Sequence, residues 1–178
     1  YNIISNCVIE GQALATSSYA RTVYIYYTGG NHYNELWNNR ITGGYYGIYN
    51  YGYSSLPKQG TVIYGNEVDG FYYYGIYNYY QDSLTVKNNT ITNGSNSNYP
   101  RGMYNYYCNN ELEVTGNKIL LTPSSYGYGM YVYYSSASST SPGTIANNFI
   151  SIDGGTSTNY GFYVYNSTYQ NFYHNNVN

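Results

Sequence analysis

One five-residue word recurs along this chain of 178 residues. It reads Gly47-Ile48-Tyr49-Asn50-Tyr51, Gly75-Ile76-Tyr77-Asn78-Tyr79, Gly102-Met103-Tyr104-Asn105-Tyr106, Gly129-Met130-Tyr131-Val132-Tyr133 and Gly161-Phe162-Tyr163-Val164-Tyr165. Thr22-Val23-Tyr24-Ile25-Tyr26 is a sixth copy with Thr for Gly. A unit this short cannot bury an apolar face alone, so such a chain must find its core by stacking each unit on the next.

A second motif separates the words. Asn, a variable residue and an apolar residue recur at Asn6-Cys7-Val8, Asn39-Arg40-Ile41, Asn66-Glu67-Val68, Asn89-Thr90-Ile91, Asn117-Lys118-Ile119, Asn148-Phe149-Ile150 and Asn175-Asn176-Val177. The intervals between these Asn residues are 33, 27, 23, 28, 31 and 27. Three positions upstream of each stands an apolar residue: Ile3, Leu36, Ile63, Val86, Val114, Ile145 and Phe172. That pattern predicts a strand, a tight turn at the Asn and a second strand, with the tyrosine word as a third. Stretches rich in Ser, Gly, Asn and Pro, such as residues 92–100 and 135–143, read as outward loops.

Three short strands per period of about 27 residues predict an all-β fold, a single parallel β-helix of about six coils over residues 1–178. An antiparallel sandwich would place turn signals every ~8–12 residues without repeating a word at coil spacing. The repeats resemble those of the right-handed parallel β-helix, pectate-lyase-like superfamily, which also occur in large secreted bacterial surface proteins. The resemblance spans the chain and implies fold and handedness. It does not choose an activity, because one fold hosts lyases, hydrolases and inert stalks.

Stacked coils place equivalent residues ~4.8 Å apart, so each column of the repeat becomes a physical ladder. The column Asn6, Asn39, Asn66, Asn89, Asn117, Asn148 and Asn175 is expected to be a structural amide ladder. Within the word, strand alternation points Ile48, Ile76, Met103, Met130 and Phe162 inward, together with Asn50, Asn78, Asn105, Val132 and Val164. Two tyrosine columns then face out: Tyr24, Tyr49, Tyr77, Tyr104, Tyr131 and Tyr163, and Tyr26, Tyr51, Tyr79, Tyr106, Tyr133 and Tyr165. A third, Tyr27, Tyr80, Tyr107 and Tyr134, follows at the next turn. Such a face exceeds the apolar patch a soluble monomer normally shows, so a contact with another chain or a polymer is expected.

Six basic against eight acidic residues supply no cationic stripe for nucleic acid. No apolar run reaches the ~20 residues of a membrane span. Carbohydrate-cleaving chemistry needs converging carboxylates, yet Glu10, Glu35, Glu67, Asp69, Asp82, Glu111, Glu113 and Asp153 fall in different columns or coils. His32 and His174 have no ligand-spaced partner, which predicts no metal and no cofactor. Gly29-Gly30 and Gly154-Gly155 read as loop glycines, and no Gly-x-Ser-x-Gly elbow occurs. Arg40 and Glu67 share a column and are expected to form a salt bridge, while Cys7 and Cys108 read as unpaired thiols.

The functional expectation is a non-catalytic, extracellular or cell-surface solenoid, structural or adhesive. Its partners would be other copies of itself or flanking coils, met through the tyrosine face or open coil ends. A window of a longer solenoid or a filament subunit fits the lack of evident caps. The alternatives are a carbohydrate-binding module that stacks sugars on its tyrosines and a fragment of a polysaccharide lyase or hydrolase.

Overall fold

The computed structural model describes residues 1–13, 15–26, 32–94 and 97–178. Six coils each contribute one strand to each of three parallel sheets, and a seventh adds a strand to the first two. The first sheet stacks Ile3–Ser5, Glu35–Trp37, Val62–Tyr64, Thr85–Lys87, Glu113–Thr115, Gly143–Ala146 and Gln170–Tyr173. The second stacks Val8–Glu10, Arg40–Thr42, Glu67–Phe71, Thr90–Asn93, Lys118–Leu121, Phe149–Ile152 and Asn176–Val177. The third stacks the tyrosine words, as Arg21–Tyr26, Tyr46–Tyr51, Tyr74–Asp82, Arg101–Asn109, Tyr128–Tyr133 and Tyr160–Tyr165. The chain is therefore an all-β parallel solenoid, as its two motifs predict. No described helix is long and apolar enough to cross a membrane.

The corner between the first and second sheets explains the residue before each ladder Asn. Asn38, Gly65, Asn88, Gly116, Asn147 and His174 all have φ between 54° and 69°. This left-handed geometry reverses the chain in one step, and Gly and Asn adopt it at least cost. The ladder Asn that follows points into the interior. Asn89 is typical: its Oδ1 accepts from the backbone N–H of Asn66 at 2.8 Å and from Asn66 Nδ2 at 3.0 Å. Asn89 Nδ2 donates to the Ile63 carbonyl at 2.9 Å and to Asn117 Oδ1 at 3.0 Å. One side chain thus joins three consecutive coils.

The first coil departs from the expected register. Ile4, not Ile3, lies opposite Leu36, and Ile9, not Val8, lies opposite Ile41. Asn6 therefore takes the left-handed corner position, φ 55°. Cys7 stands in the ladder column and donates its backbone N–H to Asn39 Oδ1 at 3.0 Å. The ladder begins at Asn39, because the first Asn takes the turn geometry and leaves Cys7, which has no side-chain amide, in the ladder column.

Around the ladder the interior is apolar and closed. Leu36, Ile63, Val86, Val114 and Ile145, with Ile41, Val68, Ile91, Ile119 and Ile150, are at most 1% exposed. Ile48, Ile76, Met103 and Met130 face them from the third sheet, with Phe162 packed partly buried beside them. Asn50, Asn78 and Asn105 form a second, shorter amide ladder in this interior. The Gly that opens each word is a packing requirement. A Cβ on Gly102 would lie 2.3 Å from Ile119 Cγ2 and 2.7 Å from the Gly129 carbonyl oxygen. In the terminal coils the interior columns stay exposed at Ile4, Phe172 and Val177.

Two smaller expectations fare differently. Both cysteines are free, Cys7 exposed and Cys108 buried. Arg40 and Glu67 do stack in register, but among the described residues the salt bridge is instead Lys87–Glu113. Glu113 is in register with Thr85 and sits diagonally across from Lys87, within reach of a long Lys chain.

Asn89→Ala removes the acceptor of Asn66 and the donor to Ile63 at a buried site, so it should destabilise the fold by about 3 kcal/mol or more. Asn176→Ala, at an exposed position, should stay within about 0.5 kcal/mol. Urea denaturation of the two variants beside the parent measures the difference.

Candidate functional site

The outward face of the third sheet follows from strand alternation interrupted once. Gly47 and Ile48 are both buried, so Tyr46 and Tyr49 emerge on the same side three positions apart. The same pinch recurs in the four inner words, and with the end words in register it gives three outward columns. Two are those expected from the words, held in register from Tyr24 to Tyr163 and from Tyr26 to Tyr165. The third was not legible in the words: Arg21, Tyr46, Tyr74, Arg101, Tyr128 and Tyr160. Tyr45 and Tyr73 flank this column, their rings stacked at 5.1 Å. On the opposite flank Tyr80, Tyr107 and Tyr134 take left-handed turn geometry, with φ of 49°, 53° and 49°. Tyr27 and the Gly29-Gly30 pair lie outside the described residues.

Ring contacts run the length of the face. Along the first word column, successive centroids lie 5.3, 5.0, 5.2, 4.8 and 4.8 Å apart. Along the second they lie 5.7, 5.2, 5.1, 5.3 and 5.0 Å apart. These spacings are set by the strand repeat, and several pairs are close to parallel, such as Tyr77 and Tyr104 at 3°. Across columns the rings also touch, Tyr46 with Tyr49 at 4.6 Å and Tyr128 with Tyr131 at 4.6 Å. Much of each ring face is therefore covered by another ring. Tyr131 is 8% exposed, against 42% for Tyr24 and Tyr165 at the two ends.

Charge enters this face through two arginines. Arg21 lies 4.4 Å from the Tyr24 centroid and 4.7 Å from that of Tyr49. Arg101 lies between 4.4 and 5.7 Å from the rings of Tyr73, Tyr74, Tyr128 and Tyr131. Such contacts hold a guanidinium by the negative ring faces. Burial alone would depress Arg101, but the phenols around it, Tyr74 first, outweigh burial and raise its pKa. Burial pushes Tyr46, Tyr74, Tyr77 and Tyr131 well above the ordinary phenol range and Tyr104 up to about 12. Beneath the sheet, Lys58 is fully buried and donates from Nζ to the Ile25 carbonyl at 3.1 Å. Desolvation lowers it to about 8.

The carboxylates stay apart. Asp69 accepts from Thr92, Glu111 from Ser141, Asp82 from Asn110 and Glu35 from Tyr1. Among the described residues no three His, Cys, Asp or Glu side chains gather in a metal-holding group. His32 Nδ1 accepts from the backbone N–H of Gln59, and His174 occupies a turn.

A family model described as periplasmic copper-binding protein (NosD) matches residues 1–178. The chain belongs to the NosD family. Comparison with curated proteins and with solved structures returns no match. The NosD family is a periplasmic one, so at that coarse level the chain is extracytoplasmic, as expected, and a parallel β-helix fits the superfamily resemblance.

In this NosD-family solenoid the tyrosine lattice links folding to alkaline pH. The phenols of Tyr46, Tyr74, Tyr77, Tyr104 and Tyr131 titrate above their unfolded value of 10.0. Above that pH the unfolded chain releases protons that the folded chain keeps, so stability present below pH 10 is lost as pH rises. Lys58 has the opposite sign between about 8 and its unfolded 10.5, but it is a single group. The melting temperature should fall steeply above pH 10, with the phenolate absorbance of these buried tyrosines appearing only as the chain unfolds. A smooth titration of nearly all phenols near pH 10 in a chain that stays folded would contradict this packing.

Proposed function

We propose that this chain is a non-catalytic, extracytoplasmic solenoid with a structural or adhesive role, which meets other copies of itself or flanking coils through its tyrosine sheet. One observation carries this reading: among the described residues, only the third of the three sheets presents outward columns made wholly of Tyr and Arg. The second sheet, by contrast, shows Val8, Arg40, Glu67, Thr90 and Lys118 in one outward column. Tyr and Arg are the residues that concentrate binding energy at protein interfaces, since a rigid ring orders at little entropic cost and its hydroxyl still finds a partner.

The second reading is a polysaccharide platform. Sugar stacking needs open ring faces, and here many faces are occupied by the next rung, as in the parallel pair Tyr46 and Tyr74 at 5.0 Å. Recognition of a glycan would fall to the hydroxyl fringe, a weaker basis. A lyase or hydrolase role finds no support in carboxylates that each engage a different polar neighbour.

The family description raises copper, and the donor chemistry of this chain does not fit it. Soft or imidazole ligands would have to converge. Met103, Met130 and Cys108 are sealed in the core, Cys7 stands alone at the corner of the first coil, and no group of three acidic, His or Cys ligands exists among the described residues.

Sedimentation velocity of the parent chain at rising micromolar concentration should show association. The double variant Tyr51→Glu/Tyr106→Glu, with an unchanged circular dichroism spectrum, should remain monomeric because two desolvated carboxylates oppose the contact. A parent chain that stays monomeric throughout would overturn the reading. Retention on an immobilised polysaccharide that the double variant loses would put the glycan platform in its place.

A further inference from the structure

The flank of the tyrosine sheet farthest from both arginines carries three tyrosine pairs, one in each of three consecutive coils. Tyr79 and Tyr80 lie 4.4 Å apart between ring centroids, Tyr106 and Tyr107 4.6 Å, and Tyr133 and Tyr134 4.7 Å. The pairs also stack on one another. Tyr80 and Tyr107 are parallel, at 4.7 Å and 0°, and Tyr107 and Tyr134 lie at 5.3 Å and 19°. In-register parallel rings place like atoms opposite like atoms, so the carbons beside each hydroxyl face each other across the stack. Left-handed backbone at Tyr80, Tyr107 and Tyr134 bends the chain there, and Tyr80 and Tyr107 are held within the strands Tyr74–Asp82 and Arg101–Asn109.

The remainder of the lattice connects to this corner. Tyr77 reaches Tyr79 at 6.1 Å, Tyr104 reaches Tyr106 at 5.8 Å and Tyr131 reaches Tyr133 at 6.5 Å. Arg21 and Arg101 sit against rings at the other side of the sheet. A cation beside a ring opposes removal of an electron from it, so an oxidising equivalent delivered to the lattice is favoured at the corner without one. Softer targets nearby are shielded: Met103, Met130 and Cys108 are 0% exposed, and burial pushes the Cys108 thiol up, away from its reactive thiolate.

We propose that the six-tyrosine corner of Tyr79, Tyr80, Tyr106, Tyr107, Tyr133 and Tyr134 is a modification site at which one-electron oxidants of phenols join tyrosines of consecutive coils as dityrosine. Two phenols each give one electron to the oxidant and one hydroxyl proton to water. The two phenoxyl radicals pair at ring carbons adjacent to the oxygens, forming one carbon–carbon bond. The two displaced ring hydrogens leave those carbons as the oxygens regain theirs by tautomerisation. The net change is the loss of two electrons and two protons per cross-link. Because Tyr107 stacks on both Tyr80 and Tyr134, it is the central partner, and a bond at either stack ties neighbouring coils covalently.

The test uses photogenerated tris(bipyridine)ruthenium(III), with persulfate as terminal electron acceptor, on the full chain at submicromolar concentration. Monomer is recovered by denaturing electrophoresis and its peptides are mapped by mass spectrometry. The proposal predicts a peptide pair lighter by two hydrogens that joins Tyr107 to Tyr80 or Tyr134. It predicts a several-fold loss of monomer dityrosine fluorescence in Tyr107→Phe, and no loss in Tyr19→Phe, a position 84% exposed. Cross-links in the parent chain that map to exposed tyrosines such as Tyr19 and Tyr169, or only between chains, would overturn it. Because the parent map is decisive alone, the conclusion stands even where a variant folds poorly.

Discussion

Everything in this molecule depends on how a buried Asn amide is shared between coils. A parallel strand pair fixes spacing but tolerates slippage along the strand, and a solenoid with loops of uneven length has every opportunity to slip. The ladder Asn removes that freedom. Its Oδ1 accepts both the backbone and side-chain N–H groups of the previous rung, and its Nδ2 reaches a carbonyl in the coil before. Moving one coil by a residue would strand these donors and acceptors in a buried interior. The ladder therefore absorbs differences such as the five-residue insertion Tyr53–Pro57, which closes on itself through the Tyr53–Leu56 bridge and returns Lys58 to register with Gln81.

Register set at one corner is spent on the opposite sheet. With the coils aligned, six copies of one word become columns, and columns of tyrosine at the strand repeat have little choice but to stack. The result differs from a simple sticky apolar patch. Rings pack on one another through faces and edges, and two guanidiniums are held by ring faces without a carboxylate counterpart in those contacts. The sheet is thereby a stabilising element and a surface of defined chemistry together, rich in hydroxyls and nearly free of acid.

Much of this was legible in the chain. The tyrosine words and the Asn-x-apolar motif each encode one residue per coil, so they reveal the coil number, the inward and outward faces and the ladders. Where pattern and structure differ, the causes are local. The motif puts Asn6 in the ladder because Asn serves two jobs here, left-handed turn and buried amide, and only backbone geometry tells them apart. The column of Arg21, Tyr46, Tyr74, Arg101, Tyr128 and Tyr160 is not legible in the words because strict alternation fails at the pinched Gly, where a Cβ would meet Val68, Ile91, Ile119 or Ile150 of the next coil in another sheet. Ring stacking and the diagonal Lys87–Glu113 pair depend on side-chain reach and direction, which a column of letters does not carry.

The most direct measurement of the account is amide hydrogen exchange resolved to single residues. The backbone N–H groups of Asn39, Asn66, Asn89, Asn117 and Asn148 each donate to a side-chain oxygen of the next rung, not to another strand. If the ladder sets the register, the amides of Asn66, Asn89 and Asn117 exchange in the slowest class, through global unfolding alone. Exchange of these three at the rate of loop residues such as Ser138 and Thr140 would contradict the claim that the ladder holds the coils in place.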